Sequence, residues 1–315
     1  MKYLLLLCFL PLYLFCDAKV FIYHRFDDPK HQSTNTNTST KELKAQFEYF
    51  KTNNYEVVPL EKILNKLKNK EDIPSNWVAL TIDDTYKSFY QNGLKLFKEY
   101  NYPFTLFVYV EATENRYGDF MTWDELKEVK KYGEVELHSY SHPSLIKLSN
   151  EDIAKDTQKA IDIFEKNMEY KAKIYSYPFG EYDDRVKNEI LKFGFDSILN
   201  QNNGSVNSKS DIFNINRIAL VENANMKEKI KYKTLEVEWI EPKDYPKDGI
   251  LKTVKAKVDP SIEKAKVFVS TYGWQDVKVN NGIIEVQLNK KLNLARNRVA
   301  ISTDYYTISN KLLIK

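Results

Sequence analysis

Up to about residue 230, the chain alternates short apolar runs with segments of helical pattern, and this alternation limits the fold more than any other feature. Helices are predicted near residues 87–100, 149–169 and 184–193, and Ser39 and Thr122 are predicted N-caps of two more. Such alternation is typical of a parallel α/β fold, although spacing alone does not separate a barrel from an open, doubly wound sheet. The predicted strands lie near residues 20–24, 77–82, 104–110, 134–138, 173–177, 196–199 and 215–221.

After about Lys233 the pattern changes to short β-like runs separated by turn signals. We therefore expect an α/β domain over residues 19–232 and a small immunoglobulin-like β-sandwich over residues 233–315. Aromatic residues of the second domain offer a platform for sugar rings, or else core and cross-strand pairs, and both interpretations stay open. These residues are Tyr272, Trp274, Tyr305 and Tyr306.

The N-terminus predicts export. Lys2, the apolar run from Leu4 to Phe15 and the small residue Ala18 follow the order of a secretory signal, so residues 1–18 are interpreted as a signal peptide. The run is too short to span a bilayer, and we expect no integral membrane segment after cleavage. The predicted destination is periplasmic or extracellular. Lipid attachment at Cys16 is the minority alternative, because a bulky residue precedes it.

The charge balance gives no reason to expect a nucleic-acid partner. The chain has 47 Lys and Arg against 44 Asp and Glu, a formal net charge of +3. The lysines are spread along the chain and form no basic stripe, so a solvated surface explains them.

Two short stretches that follow apolar runs supply the side chains of a metal site. Asp83 and Asp84 end one run, and His138 and His142 follow another. Strand ends are where α/β enzymes collect their active-site residues. Asp84, His138 and His142 would be three ligands of a catalytic zinc, and Asp83 would accept a proton from water. The same donors also suit cobalt, nickel or iron.

The alternative interpretation is that neither the aspartate pair nor the histidine pair has a catalytic role. Adjacent aspartates are common in solvated loops, and a lone His-x-x-x-His pattern is weak. The chain has only four histidines, and two of them fall within one pentapeptide. The combination of the two pairs therefore favours a metal-dependent hydrolase.

These motifs resemble, in order, those of the polysaccharide deacetylases of carbohydrate esterase family 4. Residues 81–84 resemble the first motif, residues 138–143 the second and residues 177–182 the third, and the resemblance covers about residues 19–232. It implies a distorted (β/α)7 barrel. It also implies that the third motif lines the substrate groove and that the Phe179 N–H faces the reacting acyl group. The substrate and oxyanion contacts that follow from the resemblance are Tyr177, Pro178, Phe179, Gly180 and Trp123.

Within that family, the first strand resembles that of the deacetylases of poly-β-1,6-N-acetylglucosamine, the exopolysaccharide of biofilms. The likeness is carried by Tyr23, His24 and Arg25, and it implies that His24 is the general acid that protonates the leaving amine. No histidine follows His142, so His31 is the other candidate for this role. A half-buried histidine at a strand end, without a catalytic role, is the alternative for His24.

Two positions depart from the family pattern. Thr85 stands where glycine usually follows the aspartate pair. The third motif often has an arginine shortly before its proline, where residues 175–177 here are Tyr, Ser and Tyr. The arginine that usually orients the catalytic aspartate is thus missing from the motif.

The sequence therefore predicts an exported, metal-dependent hydrolase that removes acetyl groups from N-acetylglucosamine units of a polysaccharide. A peptidoglycan N-acetylglucosamine deacetylase or an O-acetyl esterase would use the same site. A glycan-binding protein with a retired active site is a different class of function. So is a structural surface protein that assembles through its β-domain.

Overall fold

The computed structural model describes residues 17–28 and 36–315, and its first part is a parallel α/β structure. The strands of this part are β1 (Lys19–Tyr23), β2 (Arg25–Phe26), β3 (Asn37–Thr38), β4 (Glu56–Val57), β5 (Trp77–Asp83), β6 (Thr105–Val108), β7 (Glu134–Leu137), β8 (Ile174–Ser176), β9 (Ser197–Leu199) and β10 (Ile218–Ala219).

The helices of this part connect the strands on the outside of the sheet. Ser39 and Thr122 cap two of them as predicted: each side chain accepts a hydrogen bond from a first-turn backbone N–H, and Thr122 forms a complete capping box with Glu125. The helices are α1 (Thr40–Thr52), α2 (Leu60–Lys68), α3 (Leu94–Tyr100), α4 (Val110–Glu114), α5 (Trp123–Val129), α6 (Asn150–Met168), α7 (Asp184–Leu191) and α8 (Met226–Lys229).

Seven parallel strands form the main path of the sheet, in the order β10-β1-β5-β6-β7-β8-β9, and β4 pairs beside β5. This is the predicted distorted (β/α)7 barrel. Tyr23 lies opposite Ile82 in the ladder between β1 and β5, and Val108 lies opposite Leu137 between β6 and β7. The residues that follow these strands therefore meet at one edge, the carboxyl end of the sheet.

Phenylalanine rings fill the space between the sheet, α1 and α3. Phe97 packs edge-on against Phe47, Phe89 and Phe104, with ring centroids 5.0–5.5 Å apart, and all four rings are buried. Edge-to-face contacts of this kind add to the stabilisation that comes from burying the ring area. The same buried cluster includes Tyr23 of β1 and Ile82 of β5, and the ends of these two strands carry part of the site.

The second part of the chain is a β-sandwich, as predicted. A five-stranded sheet, β11-β18-β17-β14-β15, faces a three-stranded sheet, β12-β13-β16, across an apolar core that includes Val254, Val267 and Ile301. The strands are β11 (Lys233–Thr234), β12 (Glu238–Glu241), β13 (Ile250–Lys257), β14 (Lys264–Val269), β15 (Gly273–Lys278), β16 (Ile283–Lys291), β17 (Arg296–Ser302) and β18 (Thr307–Ile314).

The predicted signal peptide and its Cys16 lie outside the described residues, apart from Asp17 and Ala18. Both of these are buried, and Ala18 exchanges two backbone hydrogen bonds of 2.9 Å with Val206. Cleavage directly after Ala18 would remove this pair from the folded protein. His31 also lies outside the described residues. Among the residues that are described, no helix combines the length and apolarity needed to cross a membrane.

Glu136, on β7, is a charged residue in the buried wall of the barrel. It is 5% exposed, and it accepts hydrogen bonds from the backbone N–H groups of Lys173 and Ile174. Burial raises the pKa of Glu136 to about 7, although these two hydrogen bonds oppose the shift. The side chain is therefore protonated in the folded protein under mildly acidic conditions.

We expect this carboxyl group to make stability fall as the pH rises from about 4.5 to about 7. In that window the folded state holds a proton that the unfolded state has released, so the free energy of unfolding decreases with pH and is lowest above pH 7. Glu136→Gln should remove this slope and stabilise the protein at pH 8 by about 1–3 kcal/mol. Urea unfolding at pH 5 and pH 8 measures this slope, with Glu99→Gln, at an exposed position on α3, as control. An unchanged slope in Glu136→Gln would contradict the assignment.

Candidate metal centre and active site

The carboxyl end of the sheet gathers the predicted metal ligands into one cluster. Asp84 follows β5, and His138 and His142 lie in the loop after β7. Asp84 Oδ1 lies 3.3 Å from His138 Nε2 and 3.2 Å from His142 Nε2, and the two imidazole nitrogens are 3.2 Å apart. The potential ligand atoms of these three residues all lie within 4.8 Å of one another.

The hydrogen bonding of this cluster fits a cation. His138 Nδ1 lies 2.8 Å from the carbonyl oxygen of Ser176, which can only accept, so Nδ1 carries the proton and Nε2 presents a lone pair in the neutral ring. Asp84 Oδ1 is buried and has no hydrogen-bond partner in the described part of the chain, despite its two close nitrogen neighbours. A divalent metal of the zinc type would satisfy an orphaned carboxylate oxygen and two imidazole lone pairs together.

The electrostatics of the cluster also favour positive charge. Burial lowers the pKa of His138, but the carboxylates of Asp83 and Asp84 outweigh it and hold this pKa above its ordinary value. Burial likewise raises the pKa of Asp84, but the imidazoles of His138 and His142 reverse the shift and leave it well below the ordinary range. A bound cation would take the place of the proton that these carboxylates attract.

Asp83 is turned away from the cluster by a buried arginine. Arg217 Nη1 and Nη2 donate to the two oxygens of Asp83 at 2.7 and 2.8 Å, and both side chains are fully buried. Asp83 Oδ2 nevertheless lies 3.6 Å from His138 Nε2, which places it next to the candidate metal ligands. Burial raises the pKa of Asp83, but the charges of Arg217 and His138 bring it below its ordinary value. The carboxylate is thus ionised at neutral pH.

Arg217, which lies outside the third motif, makes the contact to Asp83 that the sequence analysis expected from an arginine of that motif. It follows Asn216 in the stretch that leads into β10, and it is held by Asn200 O, by Thr81 Oγ1 and by Ser176 Oγ at 2.8, 3.2 and 2.7 Å. Motif spacing could not find this residue, because it lies more than 30 positions after the third motif. The signal available in the sequence was an arginine inside a mostly apolar predicted strand, at residues 215–221.

Asp156, on α6, shapes the histidine loop and was also missed by sequence analysis. Its carboxylate accepts the backbone N–H groups of Tyr140 and Ser141, both at 2.9 Å, and the Ser141 hydroxyl at 2.6 Å. Ser139 and His142 have positive φ angles of 66° and 52°. The tight loop that brings the second imidazole back to the first is thus fixed by hydrogen bonds to one carboxylate.

His24 lies at the end of β1, beside the aspartate pair. Because Tyr23 is opposite Ile82, the next residue along each strand brings His24 next to Asp83. Burial lowers the pKa of His24, and the negative charges of Asp84 and Asp83 oppose this shift. The imidazole is half-buried and neutral at pH 7 in the free protein, so protonating an amine would require it to take up a proton first.

The third motif forms a tight turn over the cluster of Asp84, His138 and His142. Phe179 has a φ of 59° and is 42% exposed, and its ring packs on His142 with centroids 4.4 Å apart. Its backbone N–H donates to no oxygen in the described part of the chain. Gly180 is required, since a Cβ there would lie 2.5 Å from the Gln201 side chain. Pro178 is buried at the start of the turn.

Two of the predicted substrate contacts, Tyr177 and Trp123, have side chains that pack elsewhere in the protein. The Tyr177 side chain is fully buried and stacks on Tyr182 at 5.1 Å, so it presents no surface to a polymer. Tyr177 is the residue at which the turn Pro178–Gly180 begins. Trp123 is half-buried at the start of α5, where its indole N–H donates to Glu114 at 2.7 Å and its ring packs on Phe164. No contact joins Trp123 to the metal cluster within the described residues.

We expect the Asp83–Arg217 pair to be strongly coupled. Arg217→Gln leaves a buried carboxylate without its counter-charge, so it should destabilise the protein by about 3–5 kcal/mol in urea unfolding. The double variant Asp83→Asn/Arg217→Gln should cost clearly less than the sum of the two single changes. Additive costs would show that the two side chains do not form the pair described.

Comparison with known proteins agrees with this geometry. The sequence model of the polysaccharide deacetylase family matches residues 70–198, which include the aspartate pair, both loop histidines and the Phe179 turn. The deacetylase PplD from Streptococcus pyogenes, solved in complex with acetate, superimposes with a TM-score of 0.61 at 22% identity, over 66% of this chain and 93% of that one. IcaB from Ammonifex degensii gives 0.58 at 21% identity, over 65% and 92%. These two structures establish the fold.

Two curated relatives carry the same description, poly-beta-1,6-N-acetyl-D-glucosamine N-deacetylase. The protein from Escherichia coli (strain K12) is 22% identical over 293 residues, which cover 78% of this chain and 43% of that protein. The protein from Staphylococcus aureus (strain N315) is 28% identical over 192 residues, which cover 56% of this chain and 65% of that protein. The chain thus spans under half of the first relative and just under two thirds of the second. Over residues 70–198, the chain is thus similar to the polysaccharide deacetylase family.

Proposed function

We propose that this protein is a metal-dependent N-deacetylase that releases acetate from N-acetylglucosamine units of an exported polysaccharide. The substrate class follows the relatives, whose described substrate is poly-beta-1,6-N-acetyl-D-glucosamine. Export rests on the predicted signal at residues 1–18.

One observation carries the proposal. Three donor atoms from Asp84, His138 and His142 crowd around a common centre, while the neighbouring Asp83 is kept ionised and off that centre by Arg217. A structural salt bridge alone would not need two imidazoles and an orphaned carboxylate oxygen at the same place. The arrangement matches the needs of hydrolysis: a place for a cation, and a separate base beside it.

The residues divide the proton transfers between them. A divalent metal, when bound, would polarise the acetyl carbonyl and lower the pKa of water, so that the water can lose a proton and attack near neutral pH. Asp83 accepts the proton of the attacking water, since it is ionised and 3.6 Å from His138 Nε2. Arg217 fixes the orientation of that carboxylate. Ser176 holds both Asp83, through its hydroxyl, and His138, through its carbonyl.

The remaining charges develop at the acyl oxygen and the leaving nitrogen. We assign the contact to the acyl oxygen to the N–H of Phe179, whose ring packs on His142; a donor of this kind contributes about 2.7–4 kcal/mol to the transition state. We assign the protonation of the leaving nitrogen to His24, which is neutral in the free protein and must therefore take up a proton before it donates one. The products are acetate and a free glucosamine amine.

Asp83→Asn should lower kcat for acetate release by about 10²- to 10⁴-fold while the protein keeps its metal, because the base is lost but the three ligands are not. The measurements are acetate release from poly-β-1,6-N-acetylglucosamine and metal content by mass spectrometry. Asp162→Asn, an exposed aspartate on α6, is the matched control. Chelation of the wild type should also stop the reaction, and added Zn²⁺ or Co²⁺ should restore it.

Acetate release from different polymers distinguishes the proposed function from its alternatives. Acetate from peptidoglycan alone, or from O-acetylated glycans alone, would overturn the substrate proposed here. Full activity of Asp83→Asn, with thermal unfolding showing a folded protein, would remove Asp83 as the base. Wild-type protein that binds metal yet releases no acetate from any of these polymers would be a glycan-binding protein with a retired site.

His24→Gln tests the general acid. We expect kcat to fall by about 10²-fold or more, with metal content unchanged, because the amine then leaves without a proton donor. The loss should be much smaller on a substrate with a good leaving group, such as an acetyl ester of a phenol, which needs no protonation. An equal loss on both substrates would assign His24 a structural role.

A further inference from the structure

The outer face of the five-stranded sheet carries a groove of about 400 Å³ that the catalytic cluster does not use. Phe268 on β14 and Ala300 on β17 lie opposite each other in the ladder and line it. Two exposed rings border it: Trp274 on β15, 47% exposed, and Tyr305 in the turn before β18, 79% exposed. Trp274 packs on Phe268 with ring centroids 5.2 Å apart, so its ring is held in place and still faces solvent.

A cationic side chain without a partner points into this groove. The Arg298 guanidinium is half-buried and lines the groove, and it makes no hydrogen bond or ion pair with any residue in 17–28 or 36–315. Guanidinium N–H groups only donate, and a partly desolvated donor without an acceptor costs free energy. The groove is therefore built to receive an oxygen-rich ligand. Asp304 and Asn310 add acceptors and donors to the same lining.

The groove leads to the active site along β17. Arg296 and Arg298 lie two residues apart in a regular ladder with β18, so their side chains lie on the same face of the sheet, about 7 Å apart. The Arg296 guanidinium lies 4.8 Å from the centroid of the Phe179 ring, and its Nε is 2.5 Å from Glu181 Oε1. Phe179 in turn packs on His142. One end of β17 thus touches the rim of the metal cluster, and the rest of the strand lines the groove.

We propose that this groove binds a stretch of the N-acetylglucosamine polymer whose reacting unit lies at the metal cluster. This inference rests on the proposed function. The C–H face of a sugar ring is apolar and packs on exposed aromatic rings such as Trp274 and Tyr305. Ring hydroxyls and acetamide carbonyls accept hydrogen bonds from Arg298. From Arg296 to Ser302 the strand extends about 20 Å, more than a single sugar unit would occupy.

The charge of the groove favours a neutral glycan over a strongly anionic polymer. Lys266 lies 3.1 Å from Asp276, so its charge is already balanced, and Asp304 adds a carboxylate to the lining of the groove. A nucleic acid would need several uncompensated cations along its path. An acetylated polymer needs hydrogen-bond donors and flat rings.

The test uses two soluble probes, the dimer and the octamer of β-1,6-linked N-acetylglucosamine. Octamer affinity is measured by tryptophan fluorescence or calorimetry on the metal-depleted full chain, which does not turn the probe over. In Trp274→Ala and in Tyr305→Ala we expect the Kd to rise about fivefold to tenfold. Arg298→Gln should raise it by a similar factor. In the metal-loaded protein, the ratio of kcat/KM on the octamer to that on the dimer should fall by the same factor.

Tyr272→Ala is the matched control. Tyr272 is an exposed ring of the same domain, 42% exposed, but its hydroxyl bonds to Lys291 O and it lies outside the groove lining. The control should keep the wild-type Kd and the wild-type ratio. Thermal unfolding of each variant checks that the sandwich is intact.

Three results would overturn the groove assignment: no octamer binding by the wild type, an unchanged Kd in all three groove variants, or an equal loss in Tyr272→Ala. Light scattering tests a fourth result. If Trp274→Ala converted a dimer to a monomer and left the octamer affinity unchanged, this face would be a contact between two copies of the chain. Groove-dependent octamer binding without any acetate release would instead support the groove and overturn the proposed function.

Discussion

The buried ion pair between Asp83 and Arg217 is the interaction on which the rest of the site depends. Both side chains are fully buried, and a carboxylate in such a place would otherwise take up a proton. The arginine is itself held by Asn200, Thr81 and Ser176, so β5, β8, β9 and the start of β10 are tied to one another through one guanidinium. The same network keeps Asp83 charged and away from the three residues that could hold a metal.

Backbone strain accompanies this arrangement. Five residues around the cluster have positive φ angles although none is glycine: Asp84, Thr85, Ser139, His142 and Phe179. Thr85 is the most demanding, with a φ of 58° for a β-branched residue whose hydroxyl bonds to Asp84 O. Conformations of this kind cost about 1–3 kcal/mol each and concentrate at functional sites. The folded barrel and the Asp156 hydrogen bonds provide the stabilisation that holds them.

Local patterns predicted the order of elements and the cluster, but not the contacts between distant parts of the chain. The seven sheet strands and the capped starts of α1 and α5 lie where apolar runs and capping residues put them. Arg217 was not predicted, because its buried partner Asp83 lies 134 positions away in the sequence and no motif spacing links the two residues. The sequence of β15 does not predict a strand, because five of its six residues are exposed and it has no apolar alternation. Tyr177 follows the family motif, yet burial against Tyr182 takes its ring away from the surface.

The most direct test of the account is X-ray absorption spectroscopy at the metal edge of the purified, metal-loaded protein. Two imidazole nitrogens and one carboxylate oxygen should coordinate one tightly bound ion per chain. In His138→Ala the imidazole scattering should be clearly weaker, or the ion should be lost. A protein that bound no stoichiometric metal, or a His138→Ala spectrum identical to that of the wild type, would contradict the assignment of these ligands.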